Sequence, residues 1–384
     1  MTRRSCAAML ASILLAACGS TAAAIPTPSP PASPSPSPSP PSCGQRLFAR
    51  LTITQRIGQL VFVGLANNQL GAAERAVIRG DGAGGVWYTQ LTSAPISQIA
   101  ATSAQAQALA PAGIGLLVAA NQEGGTIDAL HGPGFSPIPS ALQQGSEDPA
   151  TLRAQAAIWA AQLKQGGVNL DLAPVMDTVP PGEDQSNAPI GSLQREFGHD
   201  PGTVSAHGLA FIAGMHAANV MVTIKHFPGL GRVQGNTDFA SSVVDSTTTA
   251  NDPYLAPFQN AIDAGTDLVM ISTATYTQID PNHLAVFSPT ILGLLRGPMH
   301  FEGVVVSDDL GSAVAVASIP AGTRAADFIA AGGDLVTVKT ADLVAPMVGA
   351  IAQRAASDPD FAAKVDAAVL RVLDLKVHAG IASC

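Results

Sequence analysis

The sequence predicts an α/β fold, a single (β/α)8 TIM-type barrel that occupies residues 43–384. Eight apolar runs rich in β-branched residues recur along this region, and Ala-rich amphipathic segments such as 152–165 and 203–217 separate them. Most of the runs are continuously apolar rather than alternating, as expected of parallel strands that are buried on both faces. The alternative is a doubly wound open sheet, but no Gly-x-Gly-x-x-Gly segment follows any predicted strand, which disfavours a dinucleotide site.

Each predicted strand is a short run of Val, Ile, Leu and other apolar residues, bounded by polar or glycine-containing segments. In chain order the predicted strands are 60–65, 85–88, 115–120, 168–173, 220–224, 267–272, 303–307 and 335–339. Eight β–α units match the count of a (β/α)8 barrel, in which the C-terminal ends of the strands carry the active site.

The first 17 residues carry signals for export. Two arginines precede an apolar run at 7–17 that is too short for an ordinary membrane span, so residues 1–17 are predicted to be a lipoprotein signal peptide. Cys18 directly follows small residues in a pattern typical of the bacterial lipobox, which predicts that this cysteine is diacylated. A plain signal peptide or an uncleaved anchor is the alternative. We expect an exported lipoprotein anchored in the cell membrane, facing the cell wall or periplasm.

A proline-rich linker is predicted between the lipidated cysteine and the barrel, over residues 18–42. Nine prolines occupy residues 26–41, mostly alternating with serine. Such a segment cannot build a core, and it favours polyproline II or a disordered linker. In either form we expect it to hold the body away from the membrane.

Two of the four cysteines, Cys43 and Cys384, lie at the two ends of the predicted barrel. Exported proteins usually reside in an oxidising compartment, and a closed barrel brings its first and last elements together. The sequence therefore predicts a disulfide between them, with two free thiols as the alternative.

Composition excludes several classes of partner. The formal net charge is −9, from 19 basic and 28 acidic residues, and no basic run is present. A polyanion is therefore an unfavourable partner, and an aromatic content of 4% leaves little for stacking nucleic-acid bases. The histidines are scattered rather than clustered as metal ligands, so the sequence predicts no metal and no cofactor.

Chemically active side chains follow two of the predicted strands. Lys225 and His226 come directly after the strand at 220–224, and Asp308 and Asp309 come directly after the strand at 303–307. The C-terminal ends of parallel strands meet at one rim of a barrel, so these side chains are expected to converge. A pair of donors and a pair of carboxylates at one rim indicates an enzyme that acts on a neutral, hydroxyl-rich substrate.

Five segments, taken together, resemble glycoside hydrolase family 3. They occur in the family's order along the chain, and the resemblance covers residues 45–380. The segments are Asn-Gln-Glu-Gly-Gly at 121–125, Leu-Ala-Pro-Val-Met-Asp at 172–177, Arg-Glu-Phe-Gly at 195–198, Lys-His-Phe-Pro-Gly at 225–229 and Ser-Asp-Asp-Leu at 307–310. They look most like the single-domain bacterial β-N-acetylglucosaminidases of this family, including lipoprotein members from mycobacteria.

The resemblance implies a role for each of several residues. Asp308 matches the nucleophile of a retaining glycosidase, which forms a covalent glycosyl-enzyme; a helix-capping or ion-pairing carboxylate is the alternative. Arg195, Lys225 and His226 match groups that hydrogen-bond sugar hydroxyls; internal pairing with Asp308 or Asp177 is the alternative.

At the third strand this chain departs from the family's pattern. Asn121 stands where the family usually has an acidic residue that contacts a sugar hydroxyl, and an amide can still accept and donate there. Glu123 is expected to support the site by organising the turn after the third strand.

A second departure concerns the acid/base. Where the family's N-acetylglucosaminidases carry Asp-Ser-His, this chain has Asn236, Thr237 and Asp238. A carboxyl group is an ordinary glycosidase acid/base, so Asp238 is predicted to serve with Asn236 in support. The alternatives are that Asp238 is only a loop residue with the acid elsewhere, or that activity is low. Because the loop at 229–242 is rich in glycine and has few apolar anchors, we expect it to be mobile.

The resemblance implies a retaining glycoside hydrolase that releases terminal β-N-acetylglucosamine from peptidoglycan-derived fragments and works as a monomer. Three alternatives stay open at this point. They are another family 3 β-glycosidase such as a β-glucosidase, a phosphorylase, and a catalytically weak lipoprotein that binds glycans.

Overall fold

The computed structural model describes residues 40–384 together with residues 18, 19 and 23. The predicted signal peptide and most of the proline-rich linker lie outside the described residues. Cys18 is exposed. One compact unit comprises Pro41–Cys384. No helix within the described part of the chain has both the length and the apolar character needed to cross a membrane.

The compact unit is built on eight parallel strands, which confirms the predicted fold class. In chain order they are β1 (Val61–Leu65), β2 (Gly85–Tyr88), β3 (Leu117–Ala120), β4 (Leu170–Asp171), β5 (Met221–Phe227), β6 (Leu268–Ile271), β7 (Val304–Ser307) and β8 (Val336–Val338). Each strand pairs with its neighbours in chain order, and β1 also pairs in parallel with β8.

The barrel closes between β7 and β8. A parallel bridge joins Val306 to Leu335, and Ser307 N donates to Leu335 O at 3.0 Å. A doubly wound sheet would instead stay open with two unpaired edge strands, so the open-sheet alternative is wrong.

The strands form where predicted because their side chains are apolar on both faces. Phe62, Val118, Val222, Ile271 and Val305 are fully buried. In a parallel barrel one face of each strand packs inside the barrel and the other packs under the helices.

Two strands differ most from the prediction. The fourth strand, predicted over 168–173, is reduced to Leu170–Asp171, since Pro174 has no N–H to continue the ladder. A bridge between Val175 and Lys225 restores the pairing one step later. Strand β5 extends to Phe227, so Lys225 and His226 lie within its last residues rather than beyond its end.

Helices surround the strands. They are α1 (Cys43–Arg50), α2 (Ile53–Gly58), α3 (Ala72–Ala76), α4 (Ile96–Gln107), α5 (Ala141–Gln144), α6 (Pro149–Gln165), α7 (Pro201–Ala217), α8 (Ala256–Asp263), α9 (Pro289–Arg296), α10 (Ala321–Ala331), α11 (Val344–Ser357) and α12 (Pro359–His378). Three of the longest, α6, α7 and α12, begin with the same Asp-Pro pair. Asp148, Asp200 and Asp358 each accept hydrogen bonds from backbone N–H groups of the first turn, and the proline after each one needs no partner there.

Short strand pairs outside the barrel lie beyond the strand ends. A hairpin pairs Gln122–Gly124 with Ile127–Asp128 just after β3. A small sheet joins Val244–Asp245, Thr275–Tyr276 and Asp280–Leu284 after β5 and β6. These elements shape the loops at the C-terminal rim of the barrel.

The two ends of the barrel region, residues 43–384, meet as predicted. Cys43 and Cys384 form a disulfide with their Cα atoms 5.8 Å apart, and α1 packs against α12. The alternative of two free thiols is wrong.

Candidate active site

A cavity of about 590 Å³ opens at the C-terminal ends of the strands. Its walls come from several strand ends and from the loops that follow them, including Tyr88, Asn121, Lys225, Asp308 and Lys339. A cavity of this size and position is where a (β/α)8 enzyme binds its substrate.

Asp308 follows β7 and lines the cavity, where it is partly buried. Its backbone N–H donates to Ile271 O at 3.0 Å, and its Oδ1 accepts from Asp309 N at 2.8 Å. Within the part of the chain that the structure describes, no donor hydrogen-bonds to Asp308 Oδ2. That oxygen therefore keeps its lone pairs available toward the cavity.

Asp309 is held differently from its neighbour. Its Oδ1 accepts backbone hydrogen bonds from Gly311 at 2.8 Å and Lys339 at 3.0 Å, and its Oδ2 accepts from Ser312. Because both oxygens accept hydrogen bonds that hold the loop, Asp309 is a structural carboxylate.

Glu123 is the partner of two cations. Its carboxylate accepts from Arg195 Nε and Nη2, both at 2.8 Å, and lies 2.6 Å from Lys225 Nζ. Desolvation alone would raise the pKa of Glu123, but the charges of Arg195 and Lys225 outweigh it and hold the pKa at about 2. We expected Glu123 to organise a turn; in the structure it neutralises the buried cations.

The same two cations make further hydrogen bonds at the cavity wall. Lys225 Nζ also donates to Asn121 Oδ1 at 2.7 Å, and Arg195 Nη1 donates to Pro189 O at 2.8 Å. Arg195 and Lys225 are therefore paired internally, as the alternative to sugar binding proposed. Their partner is Glu123 rather than Asp308 or Asp177. Each cation still lines the cavity.

His226 is oriented by Asp177, a residue that the sequence analysis named only as a pairing partner. His226 Nδ1 lies 2.7 Å from Asp177 Oδ2, while Asp177 Oδ1 accepts backbone hydrogen bonds from His226 at 3.1 Å and Leu230 at 2.9 Å. A buried carboxylate can only accept, so the imidazole proton sits on Nδ1. Nε2, which is 3.4 Å from Arg195 Nη2, is then an acceptor. The signal for Asp177 was its place as the last residue of the segment at 172–177, shortly after the fourth predicted strand.

Asp238 lines the cavity together with Asn236 and Thr237. Asn236 Oδ1 accepts from Asp238 N at 2.9 Å, which supports the predicted auxiliary place of Asn236. Although Asp238 as a residue is exposed, partial desolvation and then the negative charge of Asp308 raise the pKa of its carboxyl. A raised pKa is what a glycosidase acid requires near neutral pH.

The loop that carries Asp238 is anchored more firmly than expected. Leu230 and Val233 are buried, and Asn187 Nδ2 donates to both of their carbonyl oxygens at 2.7 Å. The expectation of few apolar anchors is wrong for residues 229–233. The exposed residues of this loop lie further along the chain, where the side chain of Phe239 is 81% exposed. Mobility stays a prediction for that second part of the loop.

The fold therefore collects in one cavity the residues that the sequence singled out for substrate or chemistry. They are Asn121, Glu123, Arg195, Lys225, His226, Asn236, Asp238 and Asp308. Four different strand ends contribute to this set, which explains why they are far apart in the sequence.

Comparison with known proteins identifies what the chain is similar to. The model of the family described as glycosyl hydrolase family 3 N terminal domain matches residues 52–375, a range that includes all five segments of the resemblance. A beta-hexosaminidase from Xanthomonas campestris pv. campestris (strain B100) is 34% identical over 305 residues, covering 77% of this chain and 88% of the relative.

Two solved structures extend the comparison. A β-N-acetylhexosaminidase from Beutenbergia cavernae DSM 12333 is 47% identical, with a TM-score of 0.84, covering 86% of this chain and 99% of that one. A glycoside hydrolase family 3 β-N-acetylglucosaminidase from Paenibacillus sp. str. FPU-7 is 27% identical, with a TM-score of 0.77, covering 87% of this chain and 64% of that one.

Proposed function

The chain belongs to glycoside hydrolase family 3, and on that premise we propose that it is a retaining β-N-acetylhexosaminidase that releases terminal β-N-acetylglucosamine. The observation that carries the proposal is the placement of Asp308, with one uncommitted oxygen, and Asp238, with a raised pKa, in one cavity. The names of the similar proteins from Xanthomonas, Beutenbergia and Paenibacillus support the choice of amino sugar.

In the first step, Asp308 Oδ2 attacks the anomeric carbon of the terminal sugar. The bond from that carbon to the glycosidic oxygen breaks, its electron pair stays on the oxygen, and Asp238 delivers the proton that the leaving oxygen takes up. The product is a covalent ester between the sugar and Asp308.

In the second step, water replaces Asp308. Asp238, now ionised, takes a proton from the water as its oxygen attacks the anomeric carbon, and the Asp308 carboxylate leaves. The electrostatics favour this exchange of roles. The charge of Asp308 raises the pKa of Asp238 in the free enzyme, and esterification removes that charge.

The polar wall of the cavity supplies the sugar contacts. Lys225 and Arg195 are held in place by Glu123, and His226 is held by Asp177, so their orientation is set before substrate binds. Hydrogen bonds between such fixed groups and sugar hydroxyls cost little ordering when the substrate arrives.

We further propose a cellular setting on the strength of the N-terminal sequence. Residues 1–17 would direct export, Cys18 would carry the lipid, and residues 18–42 would space the barrel from the membrane. The natural substrate would then be peptidoglycan-derived fragments at the cell wall.

A panel of aryl β-glycosides tests the activity and the sugar together. We expect release of the aryl group from β-N-acetylglucosaminide, with little release from the matched β-glucoside or β-xyloside. A preference for glucoside would make the chain a different family 3 glycosidase. Absence of release from every member, with retained binding of N-acetylglucosamine, would make it a glycan-binding protein.

A further inference from the structure

Three side chains that are suited to metal binding meet on the loop before α7. Asp184, Glu196 and His199 each bring one ligand atom to a place where the three atoms lie within 4.8 Å of one another. None of them lines the active-site cavity. The sequence predicted no metal because its histidines are scattered, but the folded loop places one histidine beside two carboxylates.

Glu196 gives the second, independent observation. Its side chain is fully buried, yet neither of its carboxylate oxygens has a hydrogen-bond partner in the described ranges. Asp184 Oδ1 and His199 Nδ1 are also buried without a hydrogen bond there, and they face each other at 3.4 Å. An uncompensated buried carboxylate is costly, so three carboxylate oxygens and one imidazole nitrogen without partners at one place indicate a ligand that the chain does not supply.

A shared proton satisfies this cluster only in part. One proton between the two carboxyl groups would pair two oxygens and leave the remaining oxygens and His199 Nδ1 without a partner. A divalent cation accepts a lone pair from all three side chains and neutralises both carboxylates.

We propose that Asp184, Glu196 and His199 bind one divalent cation of the zinc class. One imidazole nitrogen with two carboxylate oxygens suits Zn²⁺, whereas Mg²⁺ and Ca²⁺ prefer oxygen ligands alone. Tetrahedral zinc at about 2.0–2.2 Å from each ligand sets neighbouring ligand atoms roughly 3.3–3.6 Å apart. The 3.4 Å between His199 Nδ1 and Asp184 Oδ1 fits that spacing.

The position of the cluster gives the cation a structural role. Its ligands flank Arg195, which forms an ion pair with Glu123 at the cavity wall. The loop also folds closely on itself, since a Cβ added to Gly191 would lie 2.7 Å from Asp184 Cα. A cation that joins Asp184 to Glu196 would fix this closed loop and so hold Arg195 in place.

Zinc binding to the full-length protein tests the proposal without reference to catalysis. After treatment with EDTA and dialysis, titration with ZnCl₂ in a calorimeter should show one site per chain, and Zn²⁺ should raise the Tm, while MgCl₂ should do neither. Glu196→Gln and His199→Ala should each weaken zinc binding at least tenfold. His283→Ala is the matched control, because His283 is half exposed and pairs with only one carboxylate, Asp280.

Several results would overturn the proposal. They are the absence of saturable zinc binding to the wild type, unchanged affinity in both Glu196→Gln and His199→Ala, and loss of zinc from His226→Ala but not from Glu196→Gln, which would place the metal in the catalytic cavity. If either loop variant fails to fold, anomalous scattering at the zinc edge from wild-type crystals decides: a peak between the three side chains supports the site, and none there refutes it.

Discussion

At the scale of single residues, hydrogen bonding distinguishes two adjacent carboxylates. Both oxygens of Asp309 accept hydrogen bonds from the loop that follows β7, while Asp308 lines the cavity and only one of its oxygens accepts a hydrogen bond. A nucleophile needs an uncommitted lone pair, so Asp308 is suited to attack and Asp309 to support. From the sequence alone, Asp308 could be preferred to Asp309 as the nucleophile only by resemblance to the family's pattern.

Substitution of Asp238 tests its role as acid/base. Asp238→Ala should slow hydrolysis of substrates with poor leaving groups by about 10²–10⁴-fold, since only those groups need a proton to depart. Activated aryl glycosides should be affected far less, and added azide should rescue the second step because it needs no base. Rates for both substrate types with and without azide provide the measurement.

The control for this variant is Asp366→Ala, which removes an exposed carboxylate from α12 and should leave both rates unchanged. Equal activity of Asp238→Ala on both substrate types would show that Asp238 is only a loop residue. The acid would then have to be sought elsewhere on the rim.

The pH dependence of stability tests the charge network around Glu123. Its pKa is about 2 in the folded protein against an ordinary 4.5, so it contributes stability at pH above about 4.5 that is lost as pH falls through about 2. The full contribution is about 3 kcal/mol. We expect Glu123→Gln to lower the free energy of unfolding markedly at pH 6 and progressively less toward pH 2.

Denaturant unfolding of both proteins between pH 6 and pH 2 measures that difference. Glu302→Gln removes an exposed carboxylate and serves as the control. If the gap between wild type and Glu123→Gln stays constant over this pH range, Glu123 is not the ionised partner of Lys225 and Arg195.

At the scale of elements, the strands were predictable because each one is a short apolar run buried on both faces. The boundaries that moved did so for local reasons: Pro174 interrupts β4, and β5 continues to Phe227. The sequence could not predict which side chains from different elements pair with one another. Glu123 meets Arg195 and Lys225 only because β3, β5 and an intervening loop share one rim.

The loop that carries Asp238 depends on one side chain from another loop. Asn187 donates to Leu230 O and Val233 O and accepts from the backbone of Ile190 and Gly191. Asn187→Ala leaves these four buried groups unpaired, so we expect a loss of about 2–4 kcal/mol in the free energy of unfolding. We also expect kcat/KM to fall about tenfold, because Asp238 loses its anchor.

Asn260→Ala is the comparison for this variant, since Asn260 on α8 donates one side-chain hydrogen bond, to Ser205 at 3.0 Å. Unfolding in denaturant and kcat/KM on one aryl glycoside are measured for both. If the two variants behave alike, Asn187 does not hold the loop.

At the scale of the whole molecule, the disulfide joins the ends of the barrel. Cys43 and Cys384 are separated by 341 positions, and closing a loop of that length stabilises the fold by about 6 kcal/mol as an upper figure in the chain-entropy model. A Cys43→Ser, Cys384→Ser double variant should unfold at a lower Tm than the oxidised wild type. Reduced wild type should match the double variant; an unchanged Tm in both would show that the bond adds no stability.

Barrel closure also explains how the site forms from distant residues. The eight strand ends share one rim, so Asn121, Arg195, Lys225, Asp238 and Asp308 reach a single cavity although they span much of the chain. The sequence predicted this convergence because strand order in a (β/α)8 barrel follows chain order. It could not predict the loop geometry that brings Asp184, Glu196 and His199 together, since no regular element sets those positions.

The central claim is that Asp308 forms the covalent glycosyl-enzyme, and trapping that intermediate tests it most directly. A slow 2-fluoro sugar with a good leaving group, in which fluorine stands in place of the C2 acetamido group, should label one residue, and peptide mass spectrometry should place the label on Asp308. Asp308→Asn should take up no label and lose nearly all turnover while still binding the sugar. A label on Asp309, or full activity with no label on either residue, would contradict the account.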